Sequence, residues 1–397
     1  MKDHDPSHRR VLLLDDDPTT LLLLSEHLKG YGLDVVTCRE LEAAEAVVEH
    51  VRPDVVVTDL CLSELGGLDG TRLVRHVAAC FPRTRLFVLS GHVTPGVRRL
   101  LASLGAEVFD KPVDPKRLAL RILEGAPGAG ASSAGVVEAL EPLDDFLAAG
   151  DVHAVLQPIV DLSRGTPPFP VLGFEALARG PEESVLRNPE ILFDYALRKE
   201  RLYETDLLCI RAALAEARLL GGRYRLFLNV QPRSLAHPRF ADEVVRLVER
   251  SGFAPEGIVL ELTEQGTILN APAFAEALAE ARRRGFQVAM DDYGLGHSNQ
   301  HFLLEFKPDY VKLAGYFCRG IERDAAKQEV VRSTARMLQK LRIPAIMECL
   351  ETREELEAVR RLGVKYGQGY HFSRPLRAEG LRRAGALSRR ASSPLSC

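Results

Sequence analysis

The stretch from Phe286 to Asn299, FQVAMDDYGLGHSN, places the strongest constraint on how this chain can fold. The short apolar run from Val288 to Met290 is typical of a buried strand, and the two glycines that follow are typical of a loop. Two adjacent carboxylates, Asp291 and Asp292, come directly after the run, and we place them on that loop. Neighbouring carboxylates in a partly desolvated setting repel each other, so they normally need a bound cation.

Length and composition narrow the class of protein. A chain of 397 residues predicts two domains, since an ordinary domain holds roughly 150 residues. The net charge of -3 and the absence of a basic recognition helix argue against DNA binding. No signal peptide core is visible, and no apolar run approaches the roughly 20 residues of a membrane span, so we expect a cytoplasmic protein without a membrane segment.

In the first 124 residues, short apolar runs alternate with stretches of helical spacing. We predict strands at Val11 to Leu14, Val35 to Val36, Val55 to Val57, Leu86 to Leu89, and Val108 to Phe109. We predict helices at Leu21 to Leu28, Leu41 to Val51, Leu73 to Ala79, and Val97 to Leu104. This alternation predicts an α/β fold with a doubly wound, flavodoxin-like parallel sheet, whose site lies beyond the carboxyl ends of the strands.

Polar side chains follow the predicted strands at that edge of the sheet. They are Asp15, Asp16, Asp17, Asp59, Ser90 and Lys111. Each alone has an ordinary explanation, such as a helix N-cap before Pro18 or a turn. Together they describe a magnesium site with an acceptor carboxylate, a hydroxyl and a cation around it.

Residues 9 to 124 thereby resemble the receiver domain of response regulators. The resemblance implies that a sensor histidine kinase phosphorylates Asp59, and that Ser90 and Lys111 read the phosphate, with a cis peptide before Pro112. It also implies one Mg²⁺ held by three acids: Asp15, Asp16 and Asp59. The chain departs from the family where the loop after Asp59 is long and lacks a proline. It departs again where Val108 takes the position of the family's aromatic switch residue, with Phe109 one residue later.

The predicted domains are residues 1–124, the receiver, and residues 137–385. The intervening segment 125–136, GAPGAGASSAGV, predicts a flexible linker, and residues 386–397 predict a disordered tail. The amphipathic stretch from Val137 to Ala149 predicts a short helix that either couples the two domains or opens the second one.

Strands again alternate with helices in the second domain. We predict strands at Val155 to Leu162, Val171 to Leu177, Arg225 to Val230, Ile258 to Leu262, Phe286 to Met290, Tyr310 to Leu313, Pro344 to Met347, and Lys365 to Tyr370. Eight strands over this length predict a TIM-like (β/α) barrel. The segment from Ser163 to Pro170 is too short for a crossover helix, so the first two strands are expected to be antiparallel.

The carboxyl ends of these strands carry a set of polar groups that suits a metal centre. The set comprises Glu175, Asn229, Glu261, Asp291, Asp292, Lys312, Glu348 and Gln368. Ligation through oxygen alone selects Mg²⁺ or Mn²⁺ over zinc, and a pair of such ions suits phosphodiester hydrolysis. Singly, an acid of this kind can be an exposed helix start, and the lysine a surface residue whose stem covers apolar area.

Several spaced motifs between residues 140 and 377 resemble those of EAL domains. The motifs are Gln157-Pro158-Ile159-Val160, Glu175-Ala176-Leu177 with Arg179, Phe227-Leu228-Asn229-Val230, Glu261-Leu262-Thr263-Glu264, Asp291-Asp292-Tyr293-Gly294, Lys312, Glu348 with Glu351, and Gln368-Gly369-Tyr370. The resemblance implies hydrolysis of cyclic di-GMP to the linear dinucleotide pGpG. It implies two divalent ions, Mg²⁺ or Mn²⁺, in the barrel.

The resemblance also implies a role for each site residue. One ion would be held by Glu175, Asn229, Glu261 and Asp291, and a second by Asp291 with Asp292. The attacking water would be positioned by Lys312 and Glu348. Substrate contact and support would come from Gln157, Arg179 and Gln368, and Glu264 would brace the loop after Asp292.

The chain departs from the EAL pattern at three places. Ala314 replaces the usual aspartate two residues after the lysine, and Cys349-Leu350 replaces a usual glycine and valine. Leu295 and His297 also differ from the common residues of their loop. Three hypotheses follow: a phosphorylation-controlled phosphodiesterase, a receptor that binds cyclic di-GMP without cleaving it, and a protein-interaction scaffold. Receiver domains and EAL domains often form homodimers, so we expect this protein to be a homodimer.

Overall fold

The computed structural model describes residues 9–62, 70–91, 93–124, 137–164, 167–221, 224–263, 271–295 and 299–383. The chain divides into two compact units. The first comprises Met1–Asp151 and Arg179–Arg201, and the second comprises Val152–Ala178 and Leu202–Cys397. The predicted linker 125–136 and the predicted tail 386–397 lie outside the described residues.

The first unit contains a parallel sheet covered by helices. Its strands are β1 (Arg10–Leu14), β2 (Asp34–Cys38), β3 (Val55–Asp59), β4 (Arg85–Ser90), β5 (Ala106–Asp110) and β6 (Val137–Leu140). Its helices are α1 (Pro18–Gly30), α2 (Leu41–Val51), α3 (Gly70–Cys80), α4 (Pro95–Ser103), α5 (Pro115–Leu123), α6 (Leu143–Ala149) and α7 (Pro189–Arg198). The strand order is β5-β4-β3-β1-β2-β6, with every pair parallel. The doubly wound fold is therefore confirmed.

The sequence explains why these strands are interior ones. All five residues of β3, VVVTD, are buried, as expected for a strand that is covered on both faces. The side chain of Asp17 accepts hydrogen bonds from the backbone N–H groups of Thr19 and Thr20, so this acid is the N-cap of α1. The peptide between Lys111 and Pro112 is cis, as the receiver resemblance implies.

The prediction of one helix from Val137 to Ala149 is wrong. Residues Val137–Leu140 form β6, which pairs with β2 at the edge of the sheet, and only Leu143–Ala149 are helical. Pro142 separates the two elements because proline is excluded from a helix interior but is tolerated at a helix start. The edge of β2 offers unpaired backbone groups, and pairing with them outweighs the helical spacing of the first four residues.

The second unit contains a closed eight-stranded barrel. Its strands are β7 (His153–Asp161), β8 (Val171–Arg179), β9 (Arg225–Asn229), β10 (Ile258–Thr263), β11 (Gln287–Tyr293), β12 (Tyr310–Leu313), β13 (Ala345–Met347) and β14 (Tyr366–Gly367). Its helices are α8 (Leu202–Arg218), α9 (Pro232–Leu235), α10 (Phe240–Arg250), α11 (Ala271–Arg283), α12 (Asn299–Phe306), α13 (Gly315–Cys318), α14 (Ala325–Lys340), α15 (Arg353–Arg361) and α16 (Ala378–Arg383). Strand β7 is antiparallel to β14, and the pairs from β8 round to β14 are parallel. The TIM-like barrel with one antiparallel strand is confirmed.

A ring of apolar side chains fills the inside of the barrel. Each of the eight strands contributes one member: Ile159, Leu172, Phe227, Val259, Ala289, Tyr310, Ile346 and Tyr366. A larger apolar layer lies outside the strands, between them and the surrounding helices. No helix among those described is both long and apolar enough to cross a membrane.

The prediction that the acid pair lies on a loop is wrong. Strand β11 continues through Asp291 and Asp292 to Tyr293, which is buried. The pairing register with β12 shifts between Met290 and Tyr293, and Asp292 has a positive φ of 52°. This register shift is an irregularity of the β-bulge type, and it lies at the acid pair.

Candidate active site

The alternation of side chains along a strand builds the candidate site of the barrel. Residues two apart face the same side of a strand, so the residue two positions beyond a member of the inner ring also points inward. Six parallel strands follow this rule, and it accounts for Asn229, Glu261, Asp291, Lys312, Glu348 and Gln368. Strand β7 runs in the opposite direction, so the corresponding residue there is Gln157, two positions before Ile159. The predicted residues are therefore gathered at the carboxyl ends of the parallel strands.

Lys312 lies at the centre of this site and is 1% exposed. Four carboxylates surround its ammonium group. The Nζ atom lies 2.9 Å from Glu348 Oε1, 3.1 Å from Asp291 Oδ1, 3.2 Å from Glu261 Oε1 and 3.4 Å from Glu175 Oε2. A lysine is almost never buried without such partners, so it is not a surface residue with a covered stem.

Amide side chains hold the carboxylate of Glu175. Asn229 donates from Nδ2 to Oε1 of Glu175 at 3.0 Å, and Gln368 donates from Nε2 to Oε2 at 2.5 Å. The same Gln368 nitrogen lies 2.9 Å from Gln157 Oε1, and Gln157 donates to the carbonyl oxygen of Ser373 at 3.1 Å. Gln157, Gln368 and Asn229 thus form one hydrogen-bonded group with the first predicted metal ligand.

The charges in the site shift several pKa values. Burial alone would lower the pKa of Lys312, but the surrounding carboxylates, Asp291 first, raise it well above its usual range. Burial raises the pKa of Glu348 to about 8. Burial and the charge of Glu175 raise the pKa of Glu261 well above its usual range, and burial with the charge of Asp291 raises that of Asp292. One ammonium therefore does not balance these acids.

The donor set fits a divalent cation. It consists of carboxylate and amide oxygens, which Mg²⁺ and Mn²⁺ prefer. Oε1 of Glu261 and Oδ1 of Asp291 are buried and form ion pairs with the ammonium, yet they accept no well-directed hydrogen bond from the described residues. Buried carboxylate oxygens without a hydrogen bond are costly, and a bound cation would satisfy them.

Two of the three departures from the EAL pattern, at Ala314 and Cys349, lie next to the site. Ala314 is completely buried at the N-terminus of α13 and contributes no ligand atom from its side chain. Cys349 has a positive φ of 56°, a conformation that glycine adopts without strain. This backbone position explains why the family usually has glycine there.

The receiver unit has its own acidic group at the carboxyl ends of β1 and β3. Ligand oxygens of Asp15, Asp16 and Asp59 all lie within 4.8 Å of one another. In the described chain no other three His, Cys, Asp or Glu residues reach that spacing, since the barrel acids are spread around Lys312. Lys111 Nζ lies 2.8 Å from Asp15 Oδ2 and 2.9 Å from Asp59 Oδ2. Ser90 is buried at the end of β4.

This acidic group also fits a divalent cation. Burial raises the pKa of Asp15, although the hydrogen bond from Lys111 opposes the shift. Burial would lower the pKa of Lys111, but its hydrogen bonds to Asp15 and Asp59 raise it. Three carboxylates this close repel one another, and a hard cation such as Mg²⁺ would offset that repulsion.

The two remaining predicted barrel residues are Arg179 and Glu264. Arg179 is the last residue of β8, four positions after Glu175, and is partly buried. Glu264 lies outside the described residues.

Sequence reasoning missed Asp206, a carboxylate of α8 that is 1% exposed. Its Oδ2 accepts a hydrogen bond from the backbone N–H of Gln231 at 3.2 Å, two residues after Asn229. Burial raises its pKa to about 7. The only signal in the sequence is that this acid comes directly before the apolar residues Leu207 to Ile210.

Fold and site together define a protein with a receiver-type unit, which carries an acidic group at its strand ends, and a (β/α) barrel suited to divalent metal. The chain belongs to the EAL domain family, whose model matches residues 140–375. The model of the response regulator receiver domain matches residues 11–123. The chain is therefore a response regulator with an N-terminal receiver domain and a C-terminal EAL domain.

Named relatives share this organisation in part or in full. The cyclic di-GMP phosphodiesterase RocR of Pseudomonas aeruginosa is 29% identical over 376 residues, which cover 89% of this chain and 91% of RocR. The probable cyclic di-GMP phosphodiesterase PdeA of Escherichia coli is 29% identical over 151 residues, and the match spans only 21% of its length. The solved complex of Klebsiella pneumoniae BlrP1 with manganese and cyclic di-GMP has a TM-score of 0.52 and 24% identity, over 78% of this chain and 92% of BlrP1.

Proposed function

We propose that this response regulator hydrolyses cyclic di-GMP to pGpG under the control of phosphorylation at Asp59. The observation that carries the proposal is the buried Lys312 ammonium with four carboxylates at the carboxyl ends of the barrel strands. RocR, which has cyclic di-GMP phosphodiesterase activity in its name and matches nearly the whole chain, supports it.

Two groups of residues would hold divalent ions, Mg²⁺ or Mn²⁺, in the barrel. The first ion would be held by Glu175, Asn229, Glu261 and Asp291, and the second by Asp291 and Asp292. Such ions supply positive charge that neutralises a phosphodiester and makes water a better nucleophile. The manganese in the BlrP1 complex supports this choice of metal.

The chain's own residues supply orientation and proton transfer. The ammonium of Lys312 and the carboxyl of Glu348, 2.9 Å apart, position the attacking water. The Glu348 carboxylate would act as the general base that accepts a proton from this water. Gln157, Arg179 and Gln368 contact the substrate or support the site, and Glu264 braces the loop after the acid pair.

The receiver controls this output in the proposed function. A sensor histidine kinase transfers a phosphoryl group to Asp59, one Mg²⁺ is held by Asp15, Asp16 and Asp59, and Ser90 and Lys111 contact the phosphate. The full-length protein acts as a homodimer. The proposed sequence limits are 1–124 for the receiver domain and 137–385 for the EAL domain, although the compact receiver unit also takes in residues 137–151 and 179–201.

A second candidate function is favoured by Ala314. Because this buried alanine supplies no ligand, the second metal position is held by fewer carboxylates, and the barrel then binds cyclic di-GMP as a receptor without cleaving it.

The substitution Ala314→Asp separates the two functions. If the missing ligand limits turnover, the variant forms pGpG at least about tenfold faster than wild type, whereas nucleotide affinity measured by calorimetry changes little. Ala314→Asn is the matched control, because it has the same size but lacks the negative charge. An unchanged rate in both variants would contradict the role assigned to this position.

A further inference from the structure

The segment Arg179–Arg201 belongs to the receiver unit, although the EAL family model includes it. The chain leaves strand β8, which carries Glu175, and enters this segment directly. Its helix α7 packs on helix α2 of the receiver. A piece of the EAL sequence is therefore folded as a part of the receiver.

Tyr195 anchors α7 in this unit. The side chain is fully buried, and its hydroxyl hydrogen-bonds Glu40, the residue just before α2. Lys199 Nζ lies 3.1 Å from the other oxygen of Glu40. The backbone N–H of Leu143 donates to the Tyr195 hydroxyl at 2.9 Å, so this polar group is well satisfied although it is buried.

A second anchor is the carboxylate of Glu45, in the middle of α2. Its side chain is 4% exposed, and Oε2 accepts from two arginines that come from different helices. Arg198 of α7 donates at 3.0 Å, and Arg72 of α3 donates at 2.7 Å. One buried carboxylate thus joins α3 to α7, and removing either arginine changes the charge balance at the other.

Helix α3 begins against the backbone of the phosphoacceptor. Gly70 N–H donates to the carbonyl oxygen of Leu60, the residue after Asp59, at 3.2 Å. A Cβ on Gly70 would lie 2.1 Å from the carbonyl oxygen of Asp59, so the start of α3 is in tight contact with that peptide. Arg72 lies two residues further on. A shift of the backbone at Asp59 therefore acts directly on the helix that holds Glu45.

The receiver lacks the aromatic switch residue at the position where the family usually has it. Val108 stands at the position of the family's aromatic residue, and the neighbouring Phe109 is buried against Phe87 in the core, with ring centroids 5.8 Å apart. We propose that the signal from Asp59 instead leaves the receiver through α3, the shared carboxylate of Glu45, and α7. Residues 180–188 connect α7 to strand β8, which carries Glu175. This route rests on the proposed phosphorylation of Asp59.

Hydrogen exchange of the α7 backbone in the full-length protein tests the route without any measurement of activity. Beryllium trifluoride mimics a phosphoryl group on aspartate, and its adduct on Asp59 is followed by fluorine NMR. We expect the adduct to change the exchange rate of the 190–198 amides by about fivefold or more. An adduct that forms without any change in α7 would overturn the route. If no adduct forms in wild type, the phosphoacceptor assignment fails, and the route fails with it.

Substitutions at the anchor make the test specific. Arg198→Met and Arg72→Met should each abolish the response of α7 to the adduct, and the double variant should show no further loss, because both act through Glu45. Arg353→Met is the matched control, since Arg353 pairs with Glu357 on the exposed face of helix α15 of the barrel and should keep the full response. If Arg198→Met unfolds the receiver, Arg72→Met alone decides, because Arg72 is largely exposed and the bond from Arg198 to Glu45 remains. A full response in Arg72→Met would overturn the proposal.

Discussion

Lys312 balances only part of the charge of three buried carboxylates and the half-buried carboxylate of Glu348. Breaking a buried ion pair by removing one partner is strongly destabilising, because the remaining charges lose their compensation. For the same reason, a bound divalent cation would compensate the charge of these carboxylates if the ammonium were removed.

Lys312→Met should therefore lower the free energy of unfolding of the barrel by about 3 kcal/mol or more in metal-free buffer. Added Mn²⁺ should restore more stability to this variant than it adds to wild type. Thermal unfolding with and without Mn²⁺ measures both effects, and Lys365→Met, at an exposed position, is the control. Wild-type stability of the variant in chelator would contradict this account of the site.

Asp206 should make stability depend on pH. Its pKa is raised to about 7 by burial, whereas an aspartate in an unfolded chain titrates near about 3.9. The folded chain binds this proton more tightly, so the stabilisation is complete below about pH 4 and is lost as pH rises through about 7.

Asp206→Asn should remove that loss, because the amide stays neutral and similar in shape. Between about pH 5 and 8, wild type should lose about 2 kcal/mol more stability than the variant. Denaturant unfolding at a series of pH values measures the difference, with the exposed Asp242→Asn as control. Parallel curves for wild type and Asp206→Asn would show that the carboxyl is not protonated in the folded chain.

At the scale of elements, the ends of β11 and β13 show which structural features the sequence pattern predicts and which it does not. The apolar runs before Asp291 and Glu348 marked both strands, because buried strands read as continuous apolar residues. The bulge at Asp292 and the left-handed backbone of Cys349 left no local pattern, since each depends on pairing with a neighbouring strand or on contact with α13.

Cys349→Gly should relieve the backbone strain at φ 56°. Relative to Cys349→Ala, which removes the same thiol but keeps a Cβ, the glycine variant should be more stable by about 1 kcal/mol. Chemical denaturation of the two variants side by side measures the difference. Equal stability would mean that the left-handed conformation costs nothing at this position.

At the scale of the whole molecule, the sequence predicted both folds and most of the polar side chains that lie together at the strand ends, because each strand end combines an apolar run with a polar residue. It did not predict β6 or the placement of α7. Both depend on partners far away in the chain: Val137 pairs with Val35, and Arg198 bonds Glu45 across 153 residues. It also missed Asp206, whose partner Gln231 is 25 residues away.

Product formation from cyclic di-GMP tests the central claim most directly. Full-length protein is incubated with cyclic di-GMP in Mg²⁺, in Mn²⁺ or in chelator, with and without a small phosphodonor, and pGpG is followed by chromatography. The account predicts linear product only with metal, a rate that changes with the phosphodonor in wild type but not in Asp59→Asn, and no product from Glu175→Gln. Tight nucleotide binding with no linear product under any of these conditions would contradict it and identify the barrel as a receptor.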